Sequence, residues 1–179
     1  MSIANKIIPH YTYDDWVNWE GSWELIEGHP IAMSPAPTPR HQKISAKIIA
    51  LLSSALEKAD CKKCSVYNFI DYKVEEDTIL QPDVLIVCDE IVKKYLDFPP
   101  SLVVEILSPA TALKDRHTKL EIYQQKKIKY YLIVDLDKEV TEKYEIKNEN
   151  YELQPNRKSY NFIFSDGCSI QADFSKIFY

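Results

Sequence analysis

Hydrophobic and polar positions recur with two different periods along this chain, and the period predicts which segments are helices. After Thr38 and Pro39, a favourable N-cap and first helical residue, apolar positions return at helical spacing to about Lys58. The same spacing predicts a second helix at 111–127. A shorter helix is predicted at 11–21, where Thr and Asp three residues apart indicate a capping box.

Strand patterns occupy most of the remaining chain. Alternating or continuous apolar runs predict strands at 22–34 (a hairpin), 64–77, 78–89, 101–108 and 128–146, with further short strands in 150–179. The run at 101–108 is apolar on both faces, which is typical of a central strand covered on both sides. This order predicts a single α/β or α+β domain over residues 1–179, with a central mixed sheet flanked by helices and an extra N-terminal helix and hairpin.

Charge and hydropathy limit the classes of protein to which this chain can belong. No apolar run approaches the ~18 residues that cross a bilayer, and the N-terminus lacks the apolar core of a secretory signal. We therefore expect a cytoplasmic protein with no membrane partner. The net charge of −5 argues against coating nucleic acid by bulk charge. Any DNA binding is expected to be weak and salt-dependent, through a local basic strip.

The chain has four cysteines, and without a secretory signal we expect them to be free thiols. Cys61 and Cys64 form one Cys-x-x-Cys, but a structural zinc site needs four ligands, and Cys88 and Cys168 do not repeat that spacing. The pattern favours buried or half-exposed thiols over a zinc site.

Two apolar runs are each interrupted by one acid, Asp83 in the first and Glu105 in the second. A lone carboxylate inside an apolar strand is costly unless it is paired or bound to a metal. If the two strands are neighbours, the acids can meet at one end of the sheet and hold Mg²⁺ or Mn²⁺, with Glu24 or, less favourably, Glu27 as a third ligand. The alternative is that these acids cap strands or pair with surface lysines.

Four separated segments carry a family resemblance: WELIEGHPIAMSPAPTPRHQ, QPDVLIVCD, LVVEILSPAT and KDRHTKLEIYQQKKIKYYLIVD. Their order and spacing resemble the Uma family of restriction-endonuclease-like proteins, from about residue 11 to the C-terminus. That family belongs to the PD-(D/E)XK nuclease superfamily. The resemblance implies a restriction-endonuclease-like fold and a Mg²⁺- or Mn²⁺-dependent endonuclease that hydrolyses phosphodiester bonds of DNA.

The resemblance also implies roles for individual residues. Asp83 and Glu105 would be the catalytic, metal-binding acids, and Glu24 in the ELI-G segment would be a third metal ligand. The superfamily motif places a lysine two residues after its glutamate, where this chain has Leu107. We expect Lys119, on the following helix, to supply that cation instead. The alternative is that Lys119 is a solvated helix lysine.

Three further residues are candidates for substrate binding. Gln81, two residues before the aspartate, is expected to share its strand face and line the site. Arg40 and His41 stand at the start of a predicted helix, where a phosphate could bind to free N–H groups. Lys43 and Lys47, together with Lys114 and Arg116, would extend the basic strip that begins at Arg40. The alternative for Lys43 and Lys47 is the solvated polar face of an amphipathic helix.

Two other functions stay open at this point. Leu107 in the motif position and the acidic net charge also fit a nuclease fold kept as a binding or regulatory module without turnover. A metal-dependent hydrolase of another phosphate ester would have the same site. A homodimer is a reasonable expectation for a nuclease, because two active sites would then face the two strands of a duplex.

Overall fold

The computed structural model describes residues 8–33, 37–165 and 167–179. The helices are α1 (Tyr13–Trp16), α2 (Pro39–Lys58) and α3 (Leu120–Gln125), with a π-helical segment, Lys114–Lys119, directly before α3 and a 3₁₀ turn at Phe174–Lys176. The strands are β1 (Trp23–Ile26), β2 (His29–Ala32), β3 (Ser65–Tyr67), β4 (Tyr72–Glu75), β5 (Thr78–Leu80), β6 (Val84–Val87), β7 (Leu102–Ile106), β8 (Tyr130–Asp135), β9 (Val140–Lys147), β10 (Asn150–Leu153), β11 (Ser159–Ile163) and β12 (Ser169–Asp173).

A six-stranded sheet in the order β10-β9-β8-β7-β6-β3 forms the centre of the fold. Within it β7 and β8 are parallel and the other neighbours are antiparallel, so the sheet is mixed, as predicted. A four-stranded antiparallel sheet, β2-β1-β5-β4, contains the predicted N-terminal hairpin. Strands β11 and β12 pair separately as a hairpin.

The central sheet is covered on both faces. Alternate residues of β6, β7 and β8 pack with α2 and the β11–β12 hairpin in one apolar core. The residues between them point the other way and pack with the four-stranded sheet and α3 in a second core. This explains why the run at 101–108 is apolar at nearly every position: all five residues of β7 are buried.

Helix α2 has the bounds that its caps predict. The Thr38 side chain accepts a hydrogen bond from the His41 N–H, and Pro39 occupies the first helical position. Ile44, Ile48 and Leu52 recur at four-residue spacing and are buried against the central sheet. None of the helices formed by the described residues has the length and apolar run needed to cross a membrane.

Two segments predicted as single strands are each divided between sheets. Residues 64–77 form β3 and β4, and the chain turns between them at Phe69, which has a φ of +52°. Residues 78–89 form β5 and β6, with residues 81–83 as the connection. Because Pro82 has no N–H, it cannot continue a strand ladder, and the chain leaves one sheet there for the other. Gln81 therefore does not share a strand with Asp83, contrary to the prediction.

The expectation of free thiols is wrong. Cys61 is bonded to Cys168 and Cys64 to Cys88, so no free cysteine occurs in the described parts of the chain. The antiparallel pairing of β3 with β6 sets Ser65 against Val87 and so brings the next residues on each strand, Cys64 and Cys88, together. Such pairing depends on which strands become neighbours, and residue spacing alone does not reveal it.

Candidate active site

The two acids that interrupt apolar runs lie at one end of the central sheet. Asp83 immediately precedes β6 and Glu105 lies near the end of β7, and these strands are antiparallel neighbours with Val84 opposite Val104. Continuing that register sets Asp83 opposite Glu105. The Ile106 N–H donates to Asp83 Oδ2 at 2.7 Å, which ties the aspartate to the end of β7.

Lys119 reaches this end of the sheet from the following helix. Its ammonium Nζ lies 2.8 Å from Glu105 Oε1, 2.8 Å from Glu24 Oε1 and 3.7 Å from Asp115 Oδ1. The Lys119 side chain is only 2% exposed, so the alternative of a solvated helix lysine is excluded. Leu107, which occupies the motif position, packs instead in the apolar core beneath α3.

The helix geometry explains how Lys119 is aimed inward. Asp115, Lys119 and Tyr123 follow one another at four-residue spacing along the π-helical segment and α3, and all three are buried. Tyr123 Oη donates to Glu105 Oε1 at 2.8 Å, beside the lysine. Tyr131 Oη, on β8, donates to the Asp115 carbonyl at 2.8 Å and fixes the π-helical segment to the sheet. Such π segments recur at functional sites.

Glu24 is fully buried on β1, and both of its carboxylate oxygens have partners. Oε1 accepts from the Lys119 ammonium and from the Gln81 N–H at 3.0 Å, and Oε2 accepts from Lys114. In this arrangement Glu24 positions two lysines, and its role as a metal ligand stays a prediction. The Gln81 side chain donates to Asp71 at 3.0 Å, and its role in substrate binding likewise stays a prediction.

The charges of this cluster are strongly coupled. Burial raises the pKa of Glu105 to about 8, although the Lys119 ammonium opposes the shift, and the nearby Asp115 and Asp83 add to it. Burial also acts to raise the pKa of Glu24, but Lys119 and Lys114 outweigh it and the pKa is lowered. Burial acts to lower the pKa of Lys119, yet the surrounding carboxylates hold it well above its usual value. Lys119 is therefore a permanent buried cation.

Asp115 belongs to the site, on the helix face that it shares with Lys119 and Tyr123. It is 2% exposed, burial raises its pKa, and its Oδ1 atom has no hydrogen-bond partner among the described residues. The sequence signal was available, because Asp115 lies one helical turn before Lys119 and therefore on the same face.

The two candidates at the start of α2 have different surroundings. His41 is buried, and its Nε2 lies 3.4 Å from Asp83 Oδ2. Burial alone would lower the pKa of His41, but the contact with Asp83 outweighs burial and raises the pKa above its ordinary value. Arg40 is half-exposed and pairs with Glu139 at 3.1 Å, outside this cluster. Phosphate binding by either residue stays a prediction.

Two carboxylates, the ligand type that a hard divalent cation prefers, stand at this end of the sheet. Across residues 8–33, 37–165 and 167–179, no group of three or more His, Cys, Asp and Glu side chains is arranged to hold a metal ion. Mg²⁺, however, is commonly held by one or two carboxylates together with water and substrate phosphate. Asp83 and Glu105, which the strand register sets opposite each other, would be such a pair, and their role as metal ligands stays a prediction.

A cleft of about 630 Å³ opens beside the cluster. Its wall includes Lys114, which is bonded to Glu24, and the polar residues Glu27, His29, Thr111, His117 and Thr118, with six apolar residues making up the rest. Asp83, Glu105 and Lys119 do not line this cleft, which meets the cluster through Lys114.

Three comparisons relate this chain to known proteins. A family model described as "Uma2: Putative restriction endonuclease" matches residues 11–168. An uncharacterised protein of Synechocystis sp. is 29% identical over 127 residues, which are 64% of this chain and 63% of that protein. The chain thus spans less than two thirds of the length of that relative.

The third comparison concerns the fold. The crystal structure of "a putative nuclease belonging to DUF820" from Anabaena variabilis resembles this chain with a TM-score of 0.73 at 16% identity, covering 94% of this chain and 97% of that one. The likeness confirms the predicted restriction-endonuclease-like fold.

Replacing Glu105 by Gln should stabilise the metal-free protein, increasingly so as the pH rises. An acid whose pKa rises from 4.5 to about 8 on folding contributes stability below pH 4.5 that is lost as the pH approaches 8. Gln is neutral at every pH and can still accept from Lys119. The gain over the parent should reach on the order of 3 kcal/mol at pH 7. Urea unfolding in EDTA at several pH values measures it, with the exposed Glu121→Gln as control. Equal pH profiles for parent and Glu105→Gln would contradict the assignment.

Replacing Lys119 by Met should destabilise the fold strongly, even though Met keeps most of the side-chain volume. Glu24, Glu105 and Asp115 would lose their shared cation, and breaking a buried ion pair costs about 3–5 kcal/mol. Lys126→Met is the control, because it removes a more exposed ion pair that is worth about 1 kcal/mol or less. The denaturation midpoints of the two variants make the comparison, and equal midpoints would show that Lys119 does not neutralise the cluster.

Proposed function

The chain belongs to the Uma2 family of restriction-endonuclease-like proteins, and we propose that it is a metal-dependent endonuclease that hydrolyses phosphodiester bonds of DNA. The observation that carries the proposal is the position of Lys119. A buried ammonium 2.8 Å from Glu105, at the sheet end that also holds Asp83, restores the two acids and one cation of the superfamily motif despite Leu107.

Each residue has a definite task in this proposal. Asp83 and Glu105 would hold a Mg²⁺ ion, which when bound acidifies a water molecule and offsets charge on the attacked phosphate. Lys119 keeps Glu105 oriented and adds positive potential where negative charge develops. His41 orients Asp83, and Glu24 orients Lys119. The side chains of Asp83 and Lys119 are therefore fixed before substrate binds.

In this proposal a large, anionic substrate binds in the cleft beside Lys114. The cleft is open to solvent, and its lining, which also contains apolar residues and Glu27, includes hydroxyl and imidazole groups that can donate hydrogen bonds to phosphate oxygens. Lys114 lies between the cleft and Glu24, so a phosphate in the cleft would approach a protein cation before it reached the acids.

A second reading is a binding module without turnover, and one observation favours it. Lys119 already pairs with the ionised Glu24 and contacts Glu105, so these two acids have protein partners without a metal. A divalent ion at Glu105 would have to compete with this ammonium. A cleavage assay with the unaltered chain separates the two readings.

Asp83→Asn should abolish metal-dependent cleavage while leaving the protein folded. Asn still accepts the hydrogen bond of the Ile106 N–H, but it removes the charge that would hold the ion. We expect at least a hundredfold loss, about 2.7 kcal/mol in transition-state stabilisation, in a gel assay with plasmid and single-stranded DNA in Mg²⁺ or Mn²⁺.

The matched control for this variant is Asp89→Asn, because Asp89 is exposed beyond the opposite end of β6. It should cleave like the parent. If the parent itself shows no cleavage in any divalent metal, yet binds DNA, the binding-module reading replaces the nuclease. If Asp83→Asn cleaves like Asp89→Asn, the proposed site is wrong.

DNA binding should be weak and should fall with salt. Of the predicted basic strip, Arg40, Lys114 and Arg116 are paired with carboxylates in the structure. Lys43 and Lys47 have no ion pair with a described residue. With about two phosphate contacts, raising the salt from about 50 to about 200 mM should weaken binding roughly tenfold.

Fluorescence anisotropy with a labelled duplex measures this dependence. Replacing both Lys43 and Lys47 by Ser should flatten the salt slope, whereas Lys147→Ser, on β9, should not. A slope that is unchanged by the double replacement would place the phosphate contacts elsewhere.

A further inference from the structure

All four cysteines of the chain gather at one place, although three separate segments supply them. Cys61 and Cys64 lie in a turn just beyond α2, in which the Cys64 N–H donates to the Cys61 carbonyl at 3.2 Å. Cys88, after the end of β6, is bonded to Cys64, and Cys168, between β11 and β12, is bonded to Cys61. Because both disulfides start from the same short turn, all four sulfur atoms lie close to that turn.

We propose that these four cysteines, in their reduced state, form a structural zinc site. Four thiolates are a complete tetrahedral donor set for Zn²⁺, and a Cys-x-x-Cys turn commonly provides two of them. Here the other two come from a strand end and a hairpin connection, which is why sequence spacing did not reveal the set. No cysteine of the chain lies outside the cluster, which is not expected if they served only as small apolar side chains.

The disulfide and zinc states are related by a balanced reaction. Reduction of the two disulfides by a dithiol or phosphine reductant takes up four electrons and four protons and gives four thiols. Binding of Zn²⁺ then releases those four protons as the thiolates coordinate the ion. In the disulfide state the sulfur atoms cannot ligate, in agreement with the lack of a ready metal-holding group among the described residues.

The surroundings suit a zinc–thiolate centre. Four thiolates around Zn²⁺ carry a net charge of about −2, and the exposed Lys62 and Lys63 lie between the two cysteines of the turn. A shallow cleft of about 510 Å³ is lined by Cys61 and Cys64, which gives the ion an entry path from solvent.

The site is separate from the acid cluster. Asp83 precedes β6 and Cys88 follows it, so roughly 16 Å of extended strand lies between the two centres. Zinc at the cysteine end would join the turn after α2, the end of β6 and the β11–β12 connection. Its role is therefore to hold the fold together, and it takes no part in hydrolysis.

The first experiment uses the unaltered full chain. It is purified with a phosphine reductant and no chelator, dialysed against Zn²⁺, freed of excess ion and analysed for metal. We expect one zinc per chain, four thiols that react with a thiol reagent only after a chelator is added, and a lower melting temperature after chelation. Replacement of Zn²⁺ by Co²⁺ should give the intense visible bands of a tetrahedral thiolate complex.

Variants then assign the metal to the cysteines. Cys88→Ser should retain at least about tenfold less zinc than the parent, while Asp83→Asn, which alters only the acid cluster, should keep one per chain. If the reduced parent holds no zinc and its four thiols react freely, or if reduction fails and both disulfides persist by mass, the proposal is overturned. Zinc retained by Cys88→Ser would also overturn the four-cysteine set.

Discussion

The buried ammonium of Lys119 is the constraint on which this end of the molecule depends. It lies between Glu24 on β1 and Glu105 on β7, so it joins the four-stranded sheet to the central sheet through one charge. Glu24 could not remain ionised in this interior without the Lys119 ammonium, and the ammonium could not be buried without an ionised partner. The N-terminal hairpin is therefore a structural part of the site, because it delivers the acid that orients the lysine.

The need to give buried polar groups a partner also explains why the chain passes from one sheet to the other at residues 81–83. Once Pro82 interrupts the ladder, the N–H of Gln81 is free to donate to Glu24, and Asp83 is free to accept from Ile106 at the end of β7. Each of these bonds satisfies a polar group that would otherwise be buried without a partner. A connection of three residues thus joins an interior strand of one sheet to an interior strand of the other and presents one acid at their junction.

The sequence predicted what depends on local pattern. The caps and four-residue spacing of α2, the hairpin around Gly28 and the meeting of Asp83, Glu105 and Lys119 could all be inferred from the chain and its family resemblance. The division of 78–89 between two sheets could not, because strand periodicity does not specify the partner strand. Helical spacing placed Asp115 on the face of Lys119, but it could not show that the Asp115 carboxylate is buried in the same cluster. The cysteine cluster was missed because Cys88 and Cys168 join it only through tertiary packing.

Strand β6 and helix α2 connect the two chemical ends of the fold. His41, at the start of α2, contacts Asp83, and Cys61 follows the other end of the helix with its N–H bonded to the Leu56 carbonyl. A crosslink at the cysteine end, whether disulfide or zinc, therefore limits how far α2 can slide along β6. Because the contact of His41 with Asp83 tolerates little displacement, stiffness at the cysteine end preserves geometry at the acid end. The acid cluster and the cysteine cluster are chemically independent, yet the geometry of the acid cluster depends on the rigidity of the cysteine cluster.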